Sequence, residues 1–358
     1  MRIHHRNTLG TAVALSMACV LSIAGRAAGQ VVLMSPPPTD GPVPVRVGFN
    51  LLDIVEIDDS RKTIEFEAIL TLLWQDERLR FDPIEAGTEE LVYQGDYQFS
   101  EIGTGWWPQL FLRNESGDYE RQGVLLRVRP DGQVRYEEEF RAIAEVEMNL
   151  RRIPFDEQEF TFYFEPLGFD ASEVVLQPAP DWTSTRSDNV SVRQWSFGPI
   201  TGFPLEDAVL MQSGRVVVTT AVGFTIPASR RPGFLLRVIV IPLLILVALS
   251  WSVFWMASSQ LSDRMAISFL GILTVVAFQI VMSEMLPRIP NFTILSSFLL
   301  ISYLFLVASV IVNLRVGALD QAGHVEAGNR LDRRCRWLFP LGFTIVNLLM
   351  VGYYLARY

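Results

Sequence analysis

Four apolar runs, at 234–257, 265–286, 292–314 and 337–355, fill the last part of this 358-residue chain. Each is about 20 residues long, and at ~1.5 Å rise per residue a helix of that length crosses a hydrocarbon layer of ~30 Å. Inside such a layer every backbone N–H and C=O must find its partner within the segment, which a helix provides. The runs therefore predict a four-helix membrane domain, and the preceding residues must fold in water.

The chain opens with Arg2, His4, His5 and Arg6, an apolar stretch at 9–23 and the small residues Ala27, Ala28 and Gly29, the pattern of a cleaved secretory signal. The expected organisation is a signal peptide over 1–29, an extended Pro-rich arm over 30–44, an exported domain over 45–230 and a membrane domain over 231–358. Arg315, Arg330, Arg333, Arg334 and Arg336 crowd the stretch at 315–336 and place it on the cytoplasmic side. The N-terminal domain and the C-terminus then face the periplasm or the exterior. Of the two cysteines, Cys19 lies in the signal and Cys335 beside the last span, so no disulfide is expected in the exported domain. A formal net charge of −9 argues against a nucleic-acid partner and suits cations.

Within the exported part, Ile64, Phe66, Ala68, Leu70, Leu72 and Trp74 alternate with polar residues, the period of a half-buried strand. Phe140, Ala142, Ala144, Val146 and Met148 repeat the pattern, and Pro130-Asp131-Gly132 supplies a hairpin turn between strands. Further strands are expected at 160–165, 173–177, 190–197 and 215–226. The fold class is a β-sandwich of two antiparallel sheets, immunoglobulin-like, followed by a four-helix transmembrane bundle.

On the second span, Ala266, Leu270, Leu273, Ala277, Ile280 and Glu284 fall at helical spacing on one face, with Asp263 one turn before. Acids at both ends of an apolar stripe are costly on a lipid-facing helix and fit a helix lining an ion path. Asp263 and Glu284 would then form selectivity rings attracting cations, and Leu273 a gate that closes by excluding water. Arg264 points about 100° away from Asp263, yet its side chain is long enough to neutralise that ring. No nucleophile elbow, metal-spaced His/Cys cluster or phosphate loop is found, so neither an enzyme nor a cofactor or metal site is expected.

Several motifs together resemble the pentameric ligand-gated ion channels. Trp74-Gln75-Asp76-Glu77-Arg78-Leu79 is similar to the family's W-x-D-x-R-L strand, and Trp106-Trp107-Pro108 through Asn114 to its W-x-P…N loop. Arg152-Ile153-Pro154-Phe155-Asp156-Glu157-Gln158 resembles the signature loop facing the membrane domain, although Val146 and Phe160 stand where its cysteines would be, as in bacterial members. Leu249 to Trp255, Leu273 to Ala277 and Leu286-Pro287-Arg288-Ile289-Pro290 look closest to the bacterial amine-gated members. Anion-selective members place Pro-Ala before the basic residue of the second span, and Ser262-Asp263-Arg264 departs from that.

The resemblance implies a homopentamer in a bacterial inner membrane that conducts monovalent cations, with a ligand site between neighbouring exported domains. Gating would be relayed through Asp58, Asp59, Phe155, Asp156, Arg230, Arg231, Pro287 and Arg288. One of the two arginines is expected to pair with an acid of the first turn or the loop tip, unless both anchor to lipid headgroups. The ligand site would fall at Arg113, Leu167, Phe169, Met211 and Thr219, which lack an aromatic cage for amines, while Arg113 favours an anionic group. A small-molecule ligand or the proton remain alternative stimuli, with Glu137 and Glu139 as carboxylates sharing one strand face. A non-conducting receptor of the same fold is the remaining alternative.

Overall fold

The computed structural model describes residues 35–94, 105–185, 192–212, 215–256, 261–285 and 292–357. The expected signal peptide at 1–29, Pro287 and Arg288 lie outside the described residues, as do the side chains of Met211 and Glu284.

The alternating residues form long strands, in chain order β1 (Val43–Asp58), β2 (Thr63–Gln75), β3 (Leu91–Gln94), β4 (Leu110–Leu112), β5 (Glu115–Val128), β6 (Gln133–Glu145), β7 (Glu157–Pro166), β8 (Val174–Pro178), β9 (Ser184–Thr185), β10 (Trp195–Phe197), β11 (Thr201–Gln212) and β12 (Arg215–Arg230). One sheet runs β3-β5-β6-β2-β1-β8 with β9 also beside β1, and the other runs β10-β12-β7-β4 with β11 beside β12. The sandwich is not wholly antiparallel, because β8 and β9 lie parallel to β1. The reason is a crossover: β7 belongs to the other sheet, so the chain enters β8 from the same end as β1.

Period-2 burial fills the space between the sheets. Phe49, Phe66 and Phe140 of one sheet meet Phe162, Phe164 and Phe224 of the other, with ring centroids of Phe66 and Phe162 4.3 Å apart and those of Phe49 and Phe224 5.2 Å apart. Each such buried side chain contributes about 1.5–3 kcal/mol of transfer free energy. The motif residues do local work around this core. Asp76 is buried and caps a one-turn 3-10 helix at Glu77–Leu79, accepting from the backbone N–H of Arg78 at 3.0 Å and from Arg78 Nε at 2.9 Å. Asn114 donates through Nδ2 to the carbonyls of Glu145 at 2.7 Å and Thr161 at 2.9 Å, stitching one sheet to the other. Gly132 closes the β5–β6 hairpin at φ 81°, and a Cβ there would stand 2.6 Å from the Asp76 carbonyl oxygen.

The four apolar runs form helices α1 (Gly233–Trp255), α2 (Leu261–Met285), α3 (Ile294–Gln321) and α4 (Val325–Arg357), each apolar enough over its length to cross a membrane. Pro242 cannot donate a backbone hydrogen bond, and the turn just before it, Leu236–Val240, widens into a π-helix. Val247, Trp251 and Phe254 of α1 pack with Val275 of α2, Leu306 of α3, and Phe339 and Phe343 of α4. Most of the stretch expected as a linker at 315–336 is helical, since α3 runs to Gln321 and α4 begins at Val325; Gly323, at φ 79°, makes the turn.

Candidate functional site: the α2 stripe, the domain junction and the cleft

Along α2 the two faces differ sharply. Leu270, Leu273 and Ile280 are 63%, 66% and 62% exposed, while Arg264, Ser268 and Val275 on the opposite face are at most 1% exposed. Asp263, Ala266 and Ala277 join the exposed side, flanked by Phe269 and Gln279. The exposed stripe is thus an apolar strip with a carboxylate at its Leu261 end. Gly271 keeps the packed face thin, because a Cβ there would collide with Ser250 Oγ of α1. Thr274 turns its hydroxyl back onto the Leu270 carbonyl at 2.8 Å, which occupies the hydroxyl nearest the stripe.

The junction between the sandwich and the bundle centres on Arg230, the last residue of β12. Its guanidinium donates through Nε to Asp156 Oδ1 at 2.8 Å and through Nη2 to Asp156 Oδ2 at 3.2 Å. It also grips Asp59 with Nη1 to Oδ2 at 2.9 Å and Nη2 to Oδ1 at 2.8 Å. The ring of Trp195 lies 4.1 Å from its central carbon. Burial would release the Arg230 proton, but the hydrogen bonds and charges of Asp59 and Asp156 outweigh it and raise its pKa further, so the charge is fixed. Asp156 is held in turn by Gln158 Nε2 at 2.8 Å. Asp58 closes its own turn by accepting the N–H groups of Ser60 at 2.8 Å and Arg61 at 3.0 Å. Phe155, at the loop tip, is 37% exposed, and Arg231 is exposed.

The residues expected at a ligand cleft differ in exposure. Arg113 and Leu167 lie at the surface, and Phe169 packs edge-on against Trp106 with ring centroids 5.7 Å apart. Thr219 is fully buried within the sandwich and presents no surface to a ligand. Arg113 already has a partner: its Nη1 stands 3.0 Å from Oε1 of Glu165 on β7. That carboxylate is 0% exposed, and neither oxygen accepts a hydrogen bond in good geometry among the described residues. Burial raises its pKa, and Arg113 only partly offsets this. In the acidic run at 137–139 it is the middle residue that turns inward: Glu138 accepts from Arg121 Nε at 2.7 Å and from the hydroxyls of Tyr119 at 2.9 Å and Tyr136 at 2.7 Å.

The family model described as neurotransmitter-gated ion-channel ligand binding domain matches residues 33–220, more than half of the chain. The chain belongs to this family. Among similar proteins, the proton-gated ion channel of Gloeobacter violaceus is 27% identical over 330 residues, which cover 90% of this chain and 86% of that protein. The gamma-aminobutyric acid receptor subunit beta of Caenorhabditis elegans is 26% identical over 72% of this chain and 46% of its own length. The human receptor subunit gamma-3 is 22% identical over 75% of this chain and 56% of its own length, so the chain spans about half of these receptor subunits. The family comprises pentameric ligand-gated and proton-gated channels rather than enzymes, and this chain is a multi-pass membrane protein with an extracellular domain.

Two groups escaped the residue-level reading of this neurotransmitter-gated channel family member. Alternation sets Glu165 opposite Phe160, Phe162 and Phe164, on the face expected to meet water, so nothing in the strand pattern marked it as the one charged side chain there that would be buried. Asp332 and Asn313, polar residues on α4 and α3, surround Arg264 inside the bundle.

Proposed function

We propose that five copies of this chain form a cation-selective channel in a bacterial inner membrane, with α2 lining the pore and the sandwich outside. The exposed α2 stripe carries the proposal. It ends on Asp263, while the adjacent Arg264 is buried on the other face. Rings of Asp263 and Glu284 would concentrate cations at the two mouths, and the Leu273 level would block ions by dewetting when closed. Gating would pass from the cleft through the sandwich to the Asp59–Arg230–Asp156 cluster and into α1, which starts three residues after Arg230.

The Arg113–Glu165 pair supports a reading of the stimulus. A small anionic ligand reaching Arg113 would take the place of Glu165, and the released carboxylate, buried and unpaired, would then bind a proton more readily. The second reading, gating by the proton itself, is favoured by the same raised pKa of Glu165 and by the similarity to a protein named as a proton-gated ion channel. Ligand and proton act on one pair, so each should potentiate the other.

Purified protein in planar bilayers, under a potassium chloride gradient with external pH and small carboxylates varied, tests this reading. It predicts currents that reverse toward the potassium equilibrium potential and that grow with acid or with a carboxylate. Silence under every condition would support a non-conducting receptor instead.

A further inference from the structure

Arg264 is the largest fully buried side chain among the described residues, and it lies one residue from the acid assigned to the ion path. Its fork is closed on Asp332 of α4, with Nη1 to Oδ2 at 2.7 Å and Nη2 to Oδ1 at 2.6 Å. Nε and Nη2 also donate to Asn313 Oδ1 of α3, at 3.2 and 2.9 Å. Asn313 donates back through Nδ2 to Ser268 Oγ of α2 at 2.7 Å, one turn along from Arg264. The Asp332 side chain is itself only 3% exposed. Three helices thus enclose one cation completely.

Two physical consequences follow. A bidentate pair with short charge-assisted hydrogen bonds fixes the guanidinium in one orientation. An arginine left in this position without its carboxylate would be a buried, uncompensated charge, which is strongly disfavoured and drives the side chain toward the nearest water. On α2 that water is at the Leu261 end, where Asp263 is exposed. Five arginines turning that way would cancel a ring of five aspartates.

We propose that Asp332 is a positioning residue for ion selectivity: by holding Arg264 inside the bundle, it leaves the Asp263 ring with its net negative charge. This rests on the cation-conducting reading above. It assigns to the last helix in sequence, α4, a part in what the pore admits, through a pair of side chains that never touch the permeant ion.

The test is the potassium-to-chloride permeability ratio from reversal potentials of full-length protein in planar bilayers under a potassium chloride gradient. Wild type, Asp332→Asn, Arg264→Gln and the double variant are compared, each first shown to be pentameric by light scattering. Asp332→Asn is expected to lower the ratio by about tenfold, the scale of an added charge close to the ion path. The double variant, in which no arginine is left to turn outward, is expected to return to within about twofold of wild type. Should Asp332→Asn not assemble, Asn313→Ala removes the other acceptor and should shift the ratio by about two- to threefold in the same direction. An unchanged ratio in a cation-selective, assembled Asp332→Asn channel overturns the proposal, as does a double variant as shifted as the single. A wild-type channel reversing near the chloride potential sinks the cation-conducting reading itself, a result distinct from both.

Discussion

Arg230 and Asp156 meet twice, through the Arg230 guanidinium and through the Arg230 backbone N–H, which donates to the Asp156 carbonyl at 3.1 Å. The signature loop is therefore fastened to the strand that becomes α1, and a rigid connection runs from sandwich to bundle. Asp156 is almost wholly desolvated at 2% exposure, so removing its partner leaves a buried carboxylate with only Gln158 to hold it. Arg230→Gln is expected to cost about 3–5 kcal/mol of stability and to abolish gating in bilayers. In a double-mutant cycle, Arg230→Gln and Asp156→Asn should couple by about 1–3 kcal/mol; thermal unfolding of the four proteins measures it, and strict additivity would dismiss the link.

The W-x-D-x-R-L motif is predicted to be structural. Asp76 has no exposed surface and serves both as the cap of the Glu77–Leu79 turn and as the partner of Arg78. Asp76→Ala should lower stability by about 3 kcal/mol or more, with poor assembly as its visible result, whereas Glu77→Ala, in an exposed pair with Arg80, should change unfolding by less than about 1 kcal/mol.

Leu273 is the predicted barrier. Its side chain is 66% exposed in the single chain and would point at the axis of a pentamer. Leu273→Thr makes that level wettable, so the closed state should leak. Basal current without stimulus is expected to rise at least about tenfold over wild type at equal protein, and no rise would move the barrier elsewhere along α2.

Glu165 gives a pH dependence whose sign can be worked out. Its folded pKa is raised above the ordinary 4.5, chiefly by burial and against the pull of Arg113. Between the ordinary and the raised value the folded chain holds a proton that the unfolded chain has lost, so stability falls as pH rises through that window. Below the ordinary value both states are protonated and the contribution is fully present. Glu165→Gln mimics the protonated form and should flatten this part of the Tm against pH curve. Under proton gating it should also shift the activation curve toward neutral pH; an unchanged curve would remove Glu165 from the gating path.

The sandwich was legible because its core is written at period two: Phe66, Ala68 and Leu70 on β2 and Phe140, Ala142 and Ala144 on β6 are all buried. The spans were legible from length and hydropathy. The α2 stripe was legible because 3.6-residue spacing sorts Leu270 and Leu273 from Ser268 and Val275 without any partner. Of the interactions between segments distant in sequence, the pairing of Arg230 with Asp59 and Asp156 was anticipated through the family resemblance, but the one inside the bundle was not. Arg264 and Asp332 are 68 positions apart, and nothing local marks Asp332, which reads as one more charge in an arginine-rich stretch. In the run at 137–139 Glu137 and Glu139 do share one face, as expected, but alternation does not tell which face is inward, and the inward residue is Glu138. Likewise the family resemblance implies a cleft at Thr219 and Arg113, while burial of the first and the Glu165 partner of the second depend on sheet packing.

The most direct test of the account is cysteine accessibility along α2. The one cysteine among the described residues, Cys335, is buried and provides a quiet background. Single cysteines placed in turn at 263, 266, 270, 273, 277 and 280, and at 268 and 275, are exposed to a charged thiol reagent during channel activity in bilayers. If α2 lines the ion path, modification changes the current at the first six positions and leaves it unchanged at 268 and 275. Modification that alters the current at 268 and 275 while sparing 270 and 273 would contradict the account.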